Sequence, residues 1–366
     1  MKFETLRDTL LSPVQAVVGV VERRQTMPIL ANLLLSVSDA GLAVTGTDME
    51  VELVANAAVD VQEKGELTVP ARKLLDICRS LPEAAKITVY LDKGKLSIRS
   101  GKSRFSLTTL PAADFPSVED INVQRGFKVS QKLLRELISR TAFSMAQQDV
   151  RYYLNGMLLE TDEKHLRAVA TDGHRLALCD VSASVGESAV QQVILPRKGV
   201  LELQRLLGDD DTDAAVELGT NHLRITLPGI RFTSKLIDGR FPEYDRVIPK
   251  GGDKIFSANR QMLKETLGRA AILSNEKYRG VRLQLTTNQL KVMAHNPEQE
   301  EAEDELEVAY QGPELEIGFN VTYLMDALSA LEGEQVRITL TDANSSCLIR
   351  SPDSEECRYV VMPMRL

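Results

Sequence analysis

Asp48, Glu50 and Glu52 alternate in the stretch TDMEVEL, so on a strand three carboxylates share one face. Carboxylates gathered in that way could hold the two divalent ions of a metal-dependent nuclease. No comparable cluster recurs at the corresponding corner further along the chain, and a solvated strand face is the plainer reading. Thr171-Asp172-Gly173-His174-Arg175 offers an acid, an imidazole and a guanidinium side by side. It has no serine or cysteine nucleophile motif beside it. As a corner it makes simpler sense: Gly173 permits an unusual backbone, Asp172 caps it, and His174 and Arg175 are displayed. Gly101-Lys102-Ser103 ends like a phosphate loop, but Leu96 stands where the first glycine belongs and the surroundings pattern as a hairpin. Cys78, Cys179, Cys347 and Cys357 form no Cys-x-x-Cys, and the four histidines are scattered. Reduced, buried thiols are expected, with no metal and no cofactor.

The two corners belong to a longer pattern. Arg151 to Leu178, RYYLNGMLLETDEKHLRAVATDGHRLAL, has two short strands around a charged turn, closed by Thr171-Asp172. Ile29 to Leu53 repeats the strand, the turn and a Thr47-Asp48 corner, and Tyr278 to Leu306 keeps the corner only as a position. Asn32 to Asn155 is 123 residues and Asn155 to Gly280 is 125, against 122 for a third of the 366-residue chain. Junctions at Val69-Pro70-Ala71-Arg72-Lys73, Leu195-Pro196-Arg197-Lys198 and Gly318-Phe319-Asn320 keep the step. So do Arg104-Phe105-Ser106, Arg231-Phe232-Thr233 and Arg358-Tyr359-Val360. Three landmarks in one register predict one α+β domain used three times, bounded at 1–125, 126–250 and 251–366.

Each domain is expected to hold two helices. After Ser130, Leu133, Leu134, Leu137 and Ile138 make an apolar face with Lys132, Arg135 and Arg140 off it. After Asn259, Met262, Leu263, Leu267, Ala270 and Ala271 should be buried, with Arg260, Lys264 and Arg269 outside. Pro13 must start or kink the helix within Leu6 to Val21, which Arg24 follows. The second helices carry Arg72, Lys73 and Arg79, then Arg197, Lys198 and Arg205, and in the third domain no basic residue. A net charge of −8 argues against a nucleic-acid partner, yet the bases gather on helices and the acids on strands and loops, as in Asp209-Asp210-Asp211 and Glu298 to Glu307. Helices agreeing in this way predict a positive surface for phosphate contacts that do not read bases.

The ends of the chain suggest contacts. Val360 and Val361 extend a final edge strand, and Met362, Met364 and Leu366 make a flexible apolar surface suited to peptides. The run from Glu298 is acidic while Lys73, Lys102 and Arg104 are basic, which suits head-to-tail pairing of two chains around Phe105, Leu107, Ile272 and Leu273. Six domains of radius roughly 17 Å in a ring leave a hole of about that radius, wide enough for duplex nucleic acid. No stretch approaches the roughly 18 apolar residues of a membrane span and the N-terminus has no signal-peptide core, so a cytoplasmic location is expected.

End to end, the chain resembles the bacterial sliding clamp, the beta subunit of DNA polymerase III. The segments that carry the resemblance are RFSLTTLPAADFP at Arg104, RYYLNGM at Arg151, TDGHRLAL at Thr171, LIDGRFPEYDRVIP at Leu236, ILSNEKYRGVRL at Ile272, NPEQEEAE at Asn296 and YVVMPMRL at Tyr359. It implies three tandem clamp domains closing as a head-to-tail homodimeric ring, with antiparallel sheets outside and two helices per domain inside. Such a ring is a processivity factor that encircles DNA and tethers polymerase, without catalysis or cofactor.

The implied partners are duplex DNA, the clamp loader, replicative and translesion polymerases, mismatch-repair proteins and ligase, the proteins docking by short apolar peptides. The implied cleft, between domains two and three, comprises Arg151, Leu154, Thr171, Gly173, His174, Arg175, Leu176, Pro242, Arg246, Val247, Ser346, Val360, Met362, Pro363 and Met364. The implied dimer contact sets Phe105 and Leu107 with Ile272 and Leu273, and Lys73 and Arg104 against Glu298, Glu300, Glu301 and Glu303. Implied DNA contacts are Arg24, Arg72, Arg79, Gln148, Tyr152, Arg197 and Lys198. Gln147 stands where the family leads one to expect histidine, and Asp245 where a relative has a basic residue. The competing expectations are the nuclease built on Asp48, Glu50 and Glu52, and a repeat scaffold that binds proteins only.

Overall fold

Residues 1–22, 27–118, 121–183, 185 and 189–365 are described by the computed structural model. The repeat is a hairpin, a corner, a third strand, and a fourth strand running into a helix. Apolar residues at every second position give the hairpin its buried face: Leu33, Leu35 and Val37 are buried along Asn32–Ser38. That strand pairs with Gly41–Thr47 on one side and Gly65–Pro70 on the other. Gly156–Thr161 pairs likewise with His165–Thr171 and Gln191–Pro196, and Gly280–Thr286 with Gln289–His295 and Leu315–Asn320.

Six α-helices are described: α1 Arg7–Val17, α2 Ala71–Ser80, α3 Gln131–Ser139, α4 Arg197–Leu206, α5 Arg260–Ala271 and α6 Val321–Ala330. Asn259 and Asn320 accept from backbone N–H groups in the first turns of α5 and α6, satisfying donors that a helix start leaves open. Pro13 neither starts nor ends α1, which holds it buried beside Leu10, Val14 and Val17. On α5 the buried side is Leu263, Thr266, Leu267, Ala270 and Ala271, whereas Met262, expected inside, is 54% exposed. Its place on the helix turns it toward the polar side. None of the described helices is long and apolar enough to cross a membrane.

The chain divides into two compact units, 1–132 with 201–236 and 133–200 with 237–366. In the first, α1 and α2 pack together, and α1 lies against the strand Val51–Ala57. A five-stranded sheet runs Asp60–Glu63, Lys2–Leu6, Lys86–Asp92, Lys95–Ser100, Ser103–Thr108. An eight-stranded sheet joins two repeats, because Ile230–Lys235 pairs with Val51–Ala57. In the second unit α5 packs on α6, and Arg175–Ser182 pairs with Cys357–Val361 to complete another eight-stranded sheet. Cys357–Val361 is flanked on its other side by Cys347–Arg350, so it is an interior strand and not the expected edge. A four-stranded sheet, ending in Glu301–Glu307, completes the unit. All pairings among the described residues are antiparallel.

Candidate functional site

The corner at Thr171 is held by its own side chains. Thr171 Oγ1 donates to the Arg175 carbonyl at 2.6 Å and accepts from Gly173 N–H at 3.1 Å. Asp172 Oδ1 accepts from His174 N–H and Arg175 N–H. Thr47 and Asp48 make the same four bonds with Val51, Met49 and Glu50. Gly173 has φ +88°, so its backbone requires glycine, and a Cβ there would sit 2.8 Å from Arg151 Nη2, the far end of an exposed side chain that can shift. Arg175 is not displayed. It ion-pairs with Asp172 and Asp326, donates to the Phe143 carbonyl, and stacks over Tyr323 at 4.4 Å.

Beside this corner lies an apolar-walled cavity of about 230 Å³. Arg151, Leu154, Thr171, Gly173, Arg175 and Leu176 line one part, and Pro242, Val247, Val360 and Met362 the rest. Leu176 and Val360 face each other across the pairing of Arg175–Ser182 with Cys357–Val361. Arg151 reaches the rim through a two-point contact with Asp149, whose carboxyl it holds down at about 2. A pocket with apolar walls and the Arg151 cation at its lip suits a few consecutive apolar side chains of a peptide.

Five expected residues are not in its wall. The His174 side chain is exposed, while its carbonyl accepts from Met362 N–H at 2.9 Å. Arg246 pairs with Glu243 at 2.7 Å, and Ser346 and Pro363 are half-buried elsewhere. Met364 lines a different hollow with Tyr278, His295 and Arg365, because its N–H is tied to the Gly318 carbonyl. Leu366 lies outside the described residues.

Tyr153 and Tyr244 line the cavity and escaped the sequence reading. Tyr153 sits between Tyr152 and Leu154 in RYYLNGM, and that place in the motif is its signal in the sequence. Tyr244 depends on an unforeseen network: its hydroxyl donates to Glu160 and accepts from Arg167 Nη1 at 2.9 Å, and Arg167 also pairs with Asp180. Asp245 is exposed on the same 3-10 turn.

Of the expected phosphate contacts, Arg24 lies outside the described residues. Arg72 and Arg79 are exposed on α2. Tyr152 is 57% exposed, and the neighbouring Gln147 and Gln148 are exposed, Gln148 with φ +57°. Arg197 and Lys198 open α4 half-buried, and Arg197 reaches the Met145 carbonyl just before the Gln147-Gln148 turn. The turn and the start of α4 therefore share a neighbourhood.

The expected dimer residues fall on two strand edges and beside α5. Arg104, Phe105 and Leu107 belong to Ser103–Thr108, the last strand of its sheet; Arg104 is exposed and Leu107 is 7% exposed. Lys73 is exposed on α2. Glu301 and Glu303 lie on Glu301–Glu307, the last strand of its own sheet, with Glu298 and Glu300 in the turn before it. Glu303 pairs with Lys291 at 2.8 Å. Ile272 follows α5 at 76% exposure, with Leu273 half-buried.

The three alternating carboxylates do not share a strand face. Asp48 and Glu50 lie in the turn, where the Asp48 carboxylate is spent on backbone N–H groups, and only Glu52 is on a strand, buried. A corner that caps its own backbone cannot present a row of metal ligands. No group of three His, Cys, Asp or Glu among the described residues is placed to hold a metal.

Family models described as the N-terminal, central and C-terminal domains of the DNA polymerase III beta subunit match residues 1–119, 128–243 and 245–365. The chain is 56% identical to the beta sliding clamp of Pseudomonas aeruginosa and 55% identical to that of Escherichia coli, each over the whole of both proteins. It superposes with a TM-score of 0.97 on a solved sliding clamp from Pseudomonas aeruginosa bound to griselimycin, at 56% identity and with both chains fully covered.

Proposed function

The chain belongs to the DNA polymerase III beta subunit family and is a sliding clamp and processivity factor, and we propose that two copies close head to tail into a ring around duplex DNA. DNA and a polymerase are its partners. What carries the ring is the joining of sheets. Twice within the chain the third strand of one repeat pairs with the last strand of the next, at Val51–Ala57 with Ile230–Lys235 and at Arg175–Ser182 with Cys357–Val361. Ser103–Thr108 and Glu301–Glu307 are the same two kinds of strand, each left at a sheet edge. Unpaired edges invite pairing, and here one is basic and the other acidic. Pairing them between two chains gives two further joins, and Phe105, Leu107, Ile272 and Leu273 pack at each.

The three domains are taken as 1–125, 126–250 and 251–366. Arg24, Arg72, Arg79, Gln148, Tyr152, Arg197 and Lys198 serve as non-specific DNA contacts. The cavity beside Thr171 receives apolar peptides of the clamp loader, the replicative and translesion polymerases, mismatch-repair proteins and ligase. His174, Arg246, Ser346, Pro363 and Met364 then contribute around the cavity rather than within it. The protein acts in the cytoplasm and catalyses nothing itself.

Loading onto nicked circular plasmid with clamp loader and ATP, followed by linearisation with a single-cutting enzyme, tests the ring. Protein that stays on circles and runs off linear DNA is held topologically. Equal retention on both would mean contact chemistry holds it and would reject the ring.

A further inference from the structure

Cys179 and Cys357 are direct partners in neighbouring antiparallel strands, and their Sγ atoms lie 2.6 Å apart. Asp180 N–H donates to the Glu356 carbonyl, so the cysteine pair occupies the adjoining non-hydrogen-bonded site of the ladder. Cα atoms at such a site are about 4.5 Å apart, inside the range a disulfide spans. Alternation along the strands puts Leu176, Leu178 and Val360 in the core next to the cavity and the cysteines on the opposite face. The cysteine pair is therefore a separate place from the peptide cavity.

That place is polar and organised. Arg140 Nη1 approaches Cys357 Sγ at 4.0 Å, while its guanidinium is shared among Glu136, Glu332 and Glu356. The Tyr359 hydroxyl, two residues along on the same face, is buried with no hydrogen-bond partner among the described residues. The segment before Cys357 is exposed at Glu355 and Glu356, and Cys357 itself retains 7% exposure.

We propose that Cys179 and Cys357 form a peroxide-responsive thiol pair that closes reversibly into a disulfide across the seam between the second and third repeats. Cys357 is the attacking group, since it lies 4.0 Å from Arg140 Nη1, whose charge favours a thiolate, and keeps 7% exposure where Cys179 has none. It takes the distal oxygen of a peroxide, the O–O bond breaks, and Cys357 is oxidised to a sulfenic acid with release of water or alcohol. Cys179 sulfur then attacks the sulfenic sulfur. The S–S bond forms, and the displaced hydroxide leaves as water with the Cys179 proton. A dithiol reductant reverses the bond by exchange. Cys78 and Cys347 lack a cysteine partner in their strands or helices, and burial raises both thiols, to about 11 and about 12. Neither is expected to compete.

The test treats the native, full-length protein with hydrogen peroxide, quenches it, and counts maleimide-reactive thiols after denaturation. Two of the four thiols should be lost and recovered with dithiothreitol, and a non-reduced digest should contain the peptides of Cys179 and Cys357 joined. In Cys179→Ala, dimedone should trap Cys357 as its sulfenic acid, and in Cys357→Ala peroxide should cost no thiol. The wild-type measurement stands whether or not either variant folds. Four surviving thiols, or losses that fall on Cys78 or Cys347, would overturn the proposal.

Discussion

Glu52 is a carboxylate at odds with its surroundings. It lies on Val51–Ala57 opposite Thr233, and Oε2 accepts from Val118 N–H at 3.2 Å. Burial raises its pKa against the lowering effects of that bond, Arg231 and Arg224. A carboxyl raised in the folded state favours the fold below the ordinary glutamate range, and that contribution is lost as pH rises through the folded value. Glu52→Gln keeps an acceptor for Val118 and removes the charge. Its melting temperature should exceed wild type by about 2 °C at neutral pH, the gap closing toward pH 4. A variant that melts lower at neutral pH, or a gap that widens in acid, would refute this account. Individual residues were unevenly legible. Gly173 could be assigned from sequence because a corner needs an unusual backbone, though not that Arg151 fills the space a Cβ would take. Arg175 lines the cavity as its motif implies but is held rather than displayed, since Asp326, Phe143 and Tyr323 reach it from distant parts of the chain.

At the scale of elements, the segment from Phe241 to Ile248 is the least regular wall of the cavity. It includes only a single 3-10 turn, Tyr244–Arg246, and Phe241, Tyr244 and Ile248 are buried in the core cluster. Its polar anchor in that core is the Tyr244 hydroxyl on Glu160 and Arg167. Tyr244→Phe keeps the ring and removes the anchor, which should cost about 1 kcal/mol of stability. Because Pro242 and Val247 ride on this segment, affinity for an apolar peptide should fall several-fold. Calorimetric unfolding and fluorescence anisotropy with a labelled peptide would measure the two effects, and unaltered peptide affinity would dismiss the anchor. The six helices and the repeated hairpins were legible because period and capping are local. The segment was not, because nothing near Tyr244 in sequence names Glu160 or Arg167 as its partners.

At the scale of the whole molecule, the threefold step in sequence gave no hint that sheets would be shared between repeats. Strand pairing now turns that sharing into a register. Arg231 faces Val54 and Phe232 faces Leu53 at one join, while Arg358 faces Leu178 and Tyr359 faces Ala177 at the other. Thr45, Val169 and Met293 hold equivalent places in the three hairpins, opposite Leu34, Leu158 and Arg282. On their other sides they face Val54, Leu178 and Glu303. A third join in the same register sets Arg104 of one chain against Glu303 of the other, with Phe105 against Ala302. Arg104→Glu and Glu303→Arg should each weaken the dimer about tenfold, since a like-charge pair replaces an opposite one at both joins. Combined in one chain, the two changes exchange the charges and should recover most of the loss. Recovery stays incomplete because the new arginine lies beside Lys291, the present partner of Glu303. Sedimentation equilibrium over a dilution series separates the cases: a double variant as weak as the product of the single effects would place the two residues out of contact and rule out this register.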